Sequence, residues 1–244
     1  MSMRLYGFLI LSFLFLSCQN KAQEWVDASV HFYGQDQWDR VDIRFQFRQH
    51  NYALNRSLKG VVYTRETLSK PYIVDSLFDD GRLVRYQDSI PQILSDSLQK
   101  IYAASVNSVL YFFQIPRVLN DPAVIKRKLP DTQIQGNTYH TLGVTFQQEG
   151  GGSDYEDEFR YWIDPKTFAI DYMAYRYLTD GGGIRFRVAK NRRDYDGAVF
   201  QDYSNFKPPS AAIKLDELPQ LYESGNLIEI SQIENSAITI MKGQ

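Results

Sequence analysis

The densest run of reactive side chains is Glu149 to Glu158 (EGGGSDYEDE), with carboxylates at Glu149, Asp154, Glu156, Asp157 and Glu158. Clustered carboxylates either ligate a hard cation, which takes about six to eight oxygens, or act in pairs to hold and move a proton. Glu149 and Asp154 flank the glycines of a tight loop and are the candidate metal ligands. Beyond the loop the chain is extended, so Glu156 and Glu158 share one face and Asp157 points to the other. The five therefore do not converge, and a glycine-rich hairpin leading into an acidic solvent face is the competing reading. Arg185, Arg187, Arg192 and Arg193 are expected to answer that face as cross-strand ion pairs, each worth roughly 0.2–1 kcal/mol. The three histidines, His31, His50 and His140, stand at no ligand spacing, and a single cysteine excludes a thiolate zinc set. His140, following Tyr139 at a strand start, reads as a hydrogen-bonded structural histidine. A G-x-S-x-G elbow is missing, and Gly181-Gly182-Gly183 lacks the Lys-Ser/Thr of a phosphate loop. No catalytic set and no cofactor follow from these residues, and the balance leans away from an enzyme.

The remaining reactive side chain is Cys18. Arg4 is followed by the apolar run Leu5 to Leu16, shorter than the roughly 20 residues a membrane-spanning helix needs. It has the length of a signal-peptide hydrophobic region. Leu16-Ser17-Cys18 resembles the lipobox of bacterial lipoproteins, which implies cleavage before Cys18 and diacylation of its sulfur. Two acyl chains anchor stably because each buried CH₂ is worth about 0.8 kcal/mol. The expected organisation is a signal peptide over 1–17, a lipidated cysteine and polar tether over 18–23, and one antiparallel β domain over 24–244. No acidic cluster precedes Glu24 in the tether, which favours the periplasmic face of the outer membrane over the cell surface.

The elements that position the side chains are mostly strands. The chain holds 17 Tyr and 15 Phe at a net charge of −2; aromatics favour strands, and near-neutrality leaves no electrostatic footprint for nucleic acid. Apolar residues alternate with polar ones at Val41-Ile43-Phe45-Phe47, Leu142-Val144-Phe146, Tyr155 and Phe159-Tyr161-Ile163, Phe168-Ile170-Tyr172 and Ile184-Phe186-Val188. Turn signals at Asp80-Gly81, Glu149–Gly152, Asp164-Pro165, Asp180–Gly183 and Asp196-Gly197 separate such runs. Residues 139–206 read as one continuous antiparallel sheet. Residues 96–115 read as a helix with Leu98, Ile101, Tyr102, Ser105, Val109, Phe112 and Phe113 on one stripe, an Asp96/Gln99 capping box and Pro116 as its stop. Shorter helices are expected over 24–34 and 215–224. The fold class is mainly β (α+β): a large curved antiparallel sheet or unclosed β-barrel, partly covered by the 96–115 helix and one or two short ones. Because one helix cannot cover so wide an apolar face, a cavity for an apolar ligand is expected. Phe146, Phe159, Tyr161, Phe168, Tyr172 and Phe186 are its candidate lining, with Trp162, Tyr175 and Tyr177 beside them.

The stretches YFFQIPRVLNDP (111–122), YHTLGVTFQQEGGGSDYEDEFRYWIDPKT (139–167), IDYMAYRY (170–177) and GGGIRFRVAKN (181–191) resemble an uncharacterised family of bacterial lipoproteins. Members of that family carry the label deoxyribose-phosphate aldolase. That activity needs a Schiff-base lysine in a parallel (β/α)₈ barrel, and the strand–helix alternation is missing here. At fold level the chain is similar to the unclosed barrels of periplasmic lipoprotein carriers and their outer-membrane receptors, which implies an apolar cavity for acyl chains. Three functions stand at this point: an anchored binder of a lipid or other apolar small molecule, a structural or interaction lipoprotein without ligand, and a hydrolase using the loop carboxylates.

Overall fold

The computed structural model describes residues 21–149 and 155–243. The residues expected to form the signal peptide, Cys18, and Asp154 with the glycines before it lie outside them. Among the described residues, fourteen strands form two antiparallel seven-stranded sheets, each open at both edges, together with three α-helices. The mainly β, antiparallel, unclosed class is the one the alternation predicts. The chain divides into two compact units, each with its own apolar cluster, and β11 (Gly183–Tyr195) and β12 (Ala198–Lys207) contribute residues to both.

The first unit takes residues up to Tyr33, Leu119–Asn191 and Tyr203–Gln232. Its sheet runs β13-β12-β11-β10-β9-β8-β7, with β7 Val124–Ile134, β8 Asn137–Phe146, β9 Glu158–Ile163, β10 Ile170–Tyr177 and β13 Ile228–Ile233. Strands β8 to β12 are consecutive neighbours, as the 139–206 reading requires. Helix α1 includes residues 21–32, so Lys21, Ala22 and Gln23 are helical rather than a leash. Ala22, Trp25, Val26, Ser29, Val30 and Tyr33 are buried at three- and four-residue spacing. The Ser29 hydroxyl donates to the Phe168 carbonyl at 2.7 Å, and the Tyr33 hydroxyl accepts from the Ile170 amide at 3.0 Å. Phe168 itself is in a turn with φ 62° instead of a strand, because Asp164 Oδ1 accepts from the amides of Lys166 and Thr167 and closes the chain there. Tyr155 likewise precedes β9 in a turn. Residues 215–224 resolve into a 3-10 turn and helix α3, Leu218–Glu223.

The second unit takes Gly34–Val118, Arg192–Asp202 and residues from Ile233. Its sheet runs β14-β1-β2-β3-β4-β5-β6, with β1 Val41–Phe47, β2 His50–Ser57, β3 Gly60–Thr67, β4 Ile73–Phe78, β5 Leu83–Gln87, β6 Ile90–Gln92 and β14 Asn235–Lys242. Helix α2 spans Asp96–Phe113, two residues shorter than its sequence pattern. The Gln114 side chain ends it by donating to the Leu110 carbonyl and the Tyr63 hydroxyl while accepting from Arg56. The N-cap is Ser95, whose hydroxyl accepts from the Leu98 amide at 3.4 Å, and not the Asp96/Gln99 box. Ser95→Ala is expected to lower stability by about 1 kcal/mol, read from the midpoint of urea unfolding. The buried stripe is Val106, Leu110 and Phe113, with Tyr102, Ala103 and Val109 partly buried beside it. Leu98 and Ile101, assigned to the core stripe from sequence, are exposed.

Candidate ligand site

The six candidate aromatics do not line one surface. In the β8-β9-β10-β11 register Tyr172 stands opposite Trp162 and Val188, while Tyr175 stands opposite Phe159, and Met173 opposite Tyr161. Successive side chains alternate between faces, so Trp162, Tyr172 and Phe186 share one face and Phe159, Tyr161 and Tyr175 the other. The first group is closed by Leu215, Leu218 and Tyr222. On the second face Phe159 stacks on Tyr175 at 5.4 Å between ring centroids and meets Phe146 edge-on at 5.8 Å. The groove predicted from the aromatic series is thus divided between two packed faces, because residues three and five apart in a strand cannot look the same way.

The polar candidates have partners of their own. His140 donates from Nδ1 to Asp131 Oδ1 at 3.2 Å and stacks on the Trp25 ring at 4.3 Å between centroids. Glu149 is exposed, and the described residues contain no group of three or more metal-ligating side chains. Glu158 pairs with Arg160, Arg185 donates to the Tyr177 hydroxyl, and Arg193 binds Asp202. β10 separates β9 from β11, placing Glu158 and Arg185 about two inter-strand spacings apart. Arg187 and Arg192 donate to Tyr175 and Gln201.

A different cluster, on the second unit, has the geometry of a site. Register places Phe45, Tyr52, Arg65, Asp75, Arg85 and Gln92 in one row across β1 to β6. Asp75 is 1% exposed, and the side chains of Arg65 and Arg85 are 13% and 12% exposed. Both guanidiniums bind its carboxylate, Arg65 at 2.6 Å to Oδ2 and Arg85 at 2.6 Å to Oδ1. Helix α2 caps the row: Arg65 also donates to the Ser105 hydroxyl at 2.8 Å, and the Arg85 guanidinium lies 3.5 Å from the centre of the Tyr102 ring. Burial opposes ionisation of Asp75, but the hydrogen bonds and charges of Arg85 and Arg65 outweigh it and hold the carboxyl below its ordinary range. Sequence reading missed this cluster because its members are single residues on three strands, joined only by register.

The next row on the same face is Phe47, His50, Thr67, Ile73, Gln87 and Ile90. Ile90 is 63% exposed there, and on α2 Ile101 is 60% and Leu98 40% exposed. Leu98, Ile101, Tyr102 and Ser105 follow one another at helical spacing. One stripe of α2 therefore runs from uncovered apolar side chains to the two arginines. On the opposite face of β1 to β3 lies a shallow depression of about 200 Å³ lined by Arg44, Gln46, Asn51, Thr64 and Glu66 together with Ala53 and Ala237, smaller than the roughly 300–1,000 Å³ of small-molecule pockets.

The second unit thus presents an open antiparallel sheet under a single long helix, with a buried Asp between two Arg and an uncovered apolar margin. The chain belongs to the Family of unknown function (DUF6503), which it matches over residues 4–235. It shares its fold with a DUF1329 family protein from Desulfovibrio piger at a TM-score of 0.55 and 9% identity, covering 91% of this chain and 94% of that one. A LolA superfamily protein from Nitrosomonas europaea aligns at a TM-score of 0.44 and 13% identity over 89% and 92% of the two chains. A putative outer membrane lipoprotein-sorting protein domain from Vibrio parahaemolyticus aligns at 0.33 and 6% identity over 89% and 94%. No curated protein matches the chain in sequence.

Proposed function

We propose that the chain is an envelope lipoprotein, cleaved after residue 17, held by a lipid on Cys18 at the periplasmic face of the outer membrane, and presenting residues 24–244 as one domain that binds a lipid or another apolar ligand. The observation that carries the binding reading is the uncovered margin of the second unit. Leu98 and Ile101 on α2 and Ile90 on β6 hold apolar side chains in water where the rest of α2 buries its own. Exposed apolar surface of this kind marks interaction sites. The reading without ligand is favoured by a separate fact, the complete burial of Tyr161, Trp162 and Phe186 among the chain's own residues.

Native mass spectrometry of the chain purified from a bacterial envelope separates the two. A co-purifying lipid, lost in Ile101→Asp while the unfolding free energy stays within about 0.5 kcal/mol, as for an exposed position, is the expected result. A lipid-free mass that does not shift when lipids are added sinks the binding reading. Cys18→Ser is expected to remove the diacylglyceryl mass and release the chain from the membrane fraction.

A further inference from the structure

The Arg65–Asp75–Arg85 row carries more positive charge than its own structure requires. Arg85 alone satisfies Asp75 through two bonds, at 2.6 Å from Nε to Oδ1 and 2.9 Å from Nη2 to Oδ2. Arg65 adds a second full charge on the same carboxylate, with both guanidiniums largely buried. Charge removed from water is costly unless it is paired. Burial, and next the charge of Arg65, push the pKa of His50 below its ordinary value. Arg48, in the turn beyond β1 with its guanidinium 5.0 Å from the Phe47 ring, adds a further cation on the same side.

We propose that this row is the head-group site for a single-chain anionic amphiphile, specifically the carboxylate of a long-chain fatty acid, whose tail lies over Phe47, Ile73, Ile90, Leu98 and Ile101. The assignment rests on the apolar-ligand reading above and names its chemistry. Two guanidiniums against one carboxylate leave one charge, and one monoanion neutralises it. Guanidinium forks match carboxylates in planar geometry, as Asp75 already demonstrates in the same row. The margin supplies apolar side chains beginning one register step from the charges, on β4 at Ile73 and on α2 at Ile101.

The test uses the full mature chain in phosphatidylcholine nanodiscs titrated with oleate carrying ¹³C at its carboxyl, with empty nanodiscs as the reference. The expected result is one saturable protein-bound carboxylate resonance. Arg85→Gln weakens it by at least about tenfold, Arg85→Lys weakens it less, and Asp75→Asn, which raises the net charge of the row, tightens it. Thermal melts establish which variants fold. If Arg85→Gln does not, Asp75→Asn decides, and unchanged or weaker binding in that variant overturns the assignment. Monoolein, with the same tail and no charge, separates the two levels of the reading. Oleate and monoolein binding alike, both indifferent to Arg85→Gln, overturns the head-group site and leaves an apolar site standing. Neither binding overturns both. Lysophosphatidylglycerol binding more tightly than oleate, and depending on Arg85, overturns the carboxylate in favour of a phosphate.

Discussion

Asp75→Ala is expected to lower the unfolding free energy by about 3–5 kcal/mol, the usual range when one partner of a buried ion pair is removed. The substitution strands two guanidiniums that are 13% and 12% exposed, and it cuts the link that ties β3, β4 and β5 to each other and, through Ser105, to α2. Asp75→Asn keeps the shape and loses only the charge, so it should cost less. The acid limb of stability separates charge from shape. The folded carboxyl titrates below its ordinary value, with the Arg85 and Arg65 bonds overriding the opposing effect of burial. Its contribution is therefore fully present above the unfolded pKa of about 3.9 and is lost as pH falls through the lower folded value. Urea midpoints measured from pH 7 to pH 2.5 should show the gap between wild type and Asp75→Asn closing below about pH 4. A gap that stays constant across that range would mean that the Asp75 carboxyl titrates alike in the folded and unfolded chain, so that the arginines do not hold it ionised.

The contrast between what the sequence revealed and what it hid follows from the distance over which each feature is encoded. Val41-Ile43-Phe45 and Ile184-Phe186-Val188 alternate within one strand, so β1 and β11 were legible, and Asp196-Gly197 marks the turn between β11 and β12 by its own chemistry. The strands from β2 to β6 carry no such individual signature. Their inward rows mix Tyr52, Arg65, Asp75 and Arg85 with Leu54, Tyr63 and Leu77, and a charged residue on a buried row breaks the period that betrays a strand. The same mixture hid the ligand-site candidate. Helix α2 lies where its pattern puts it, but its buried stripe is turned by about one residue, because Leu98 and Ile101 satisfy the helical period equally well whether core or margin receives them. The aromatic groove failed for a further reason: composition identifies aromatic residues, but only register assigns their faces.

Phe186→Ala is the second change expected to have a large effect, about 3–5 kcal/mol of lost stability, and it decides what the aromatic face of the first unit is for. Phe186 is 0% exposed, lies 5.6 Å from the Trp162 ring, 5.9 Å from Tyr172 and 5.4 Å from Tyr222, and is closed over by α3. Its removal leaves a void among large, rigid rings that cannot collapse easily, which places the cost toward the upper part of that range. A residue lining a ligand cavity behaves differently: in the ligand-free chain one wall already lacks protein contacts, and truncation removes less packing. Calorimetric or urea unfolding of delipidated Phe186→Ala therefore distinguishes the two. A loss near 4 kcal/mol assigns the face to the core and leaves ligand binding to the second unit. A loss below about 1.5 kcal/mol, accompanied by loss of co-purifying lipid, would return the binding surface to β9–β11 and displace the Arg65–Asp75–Arg85 row as the site.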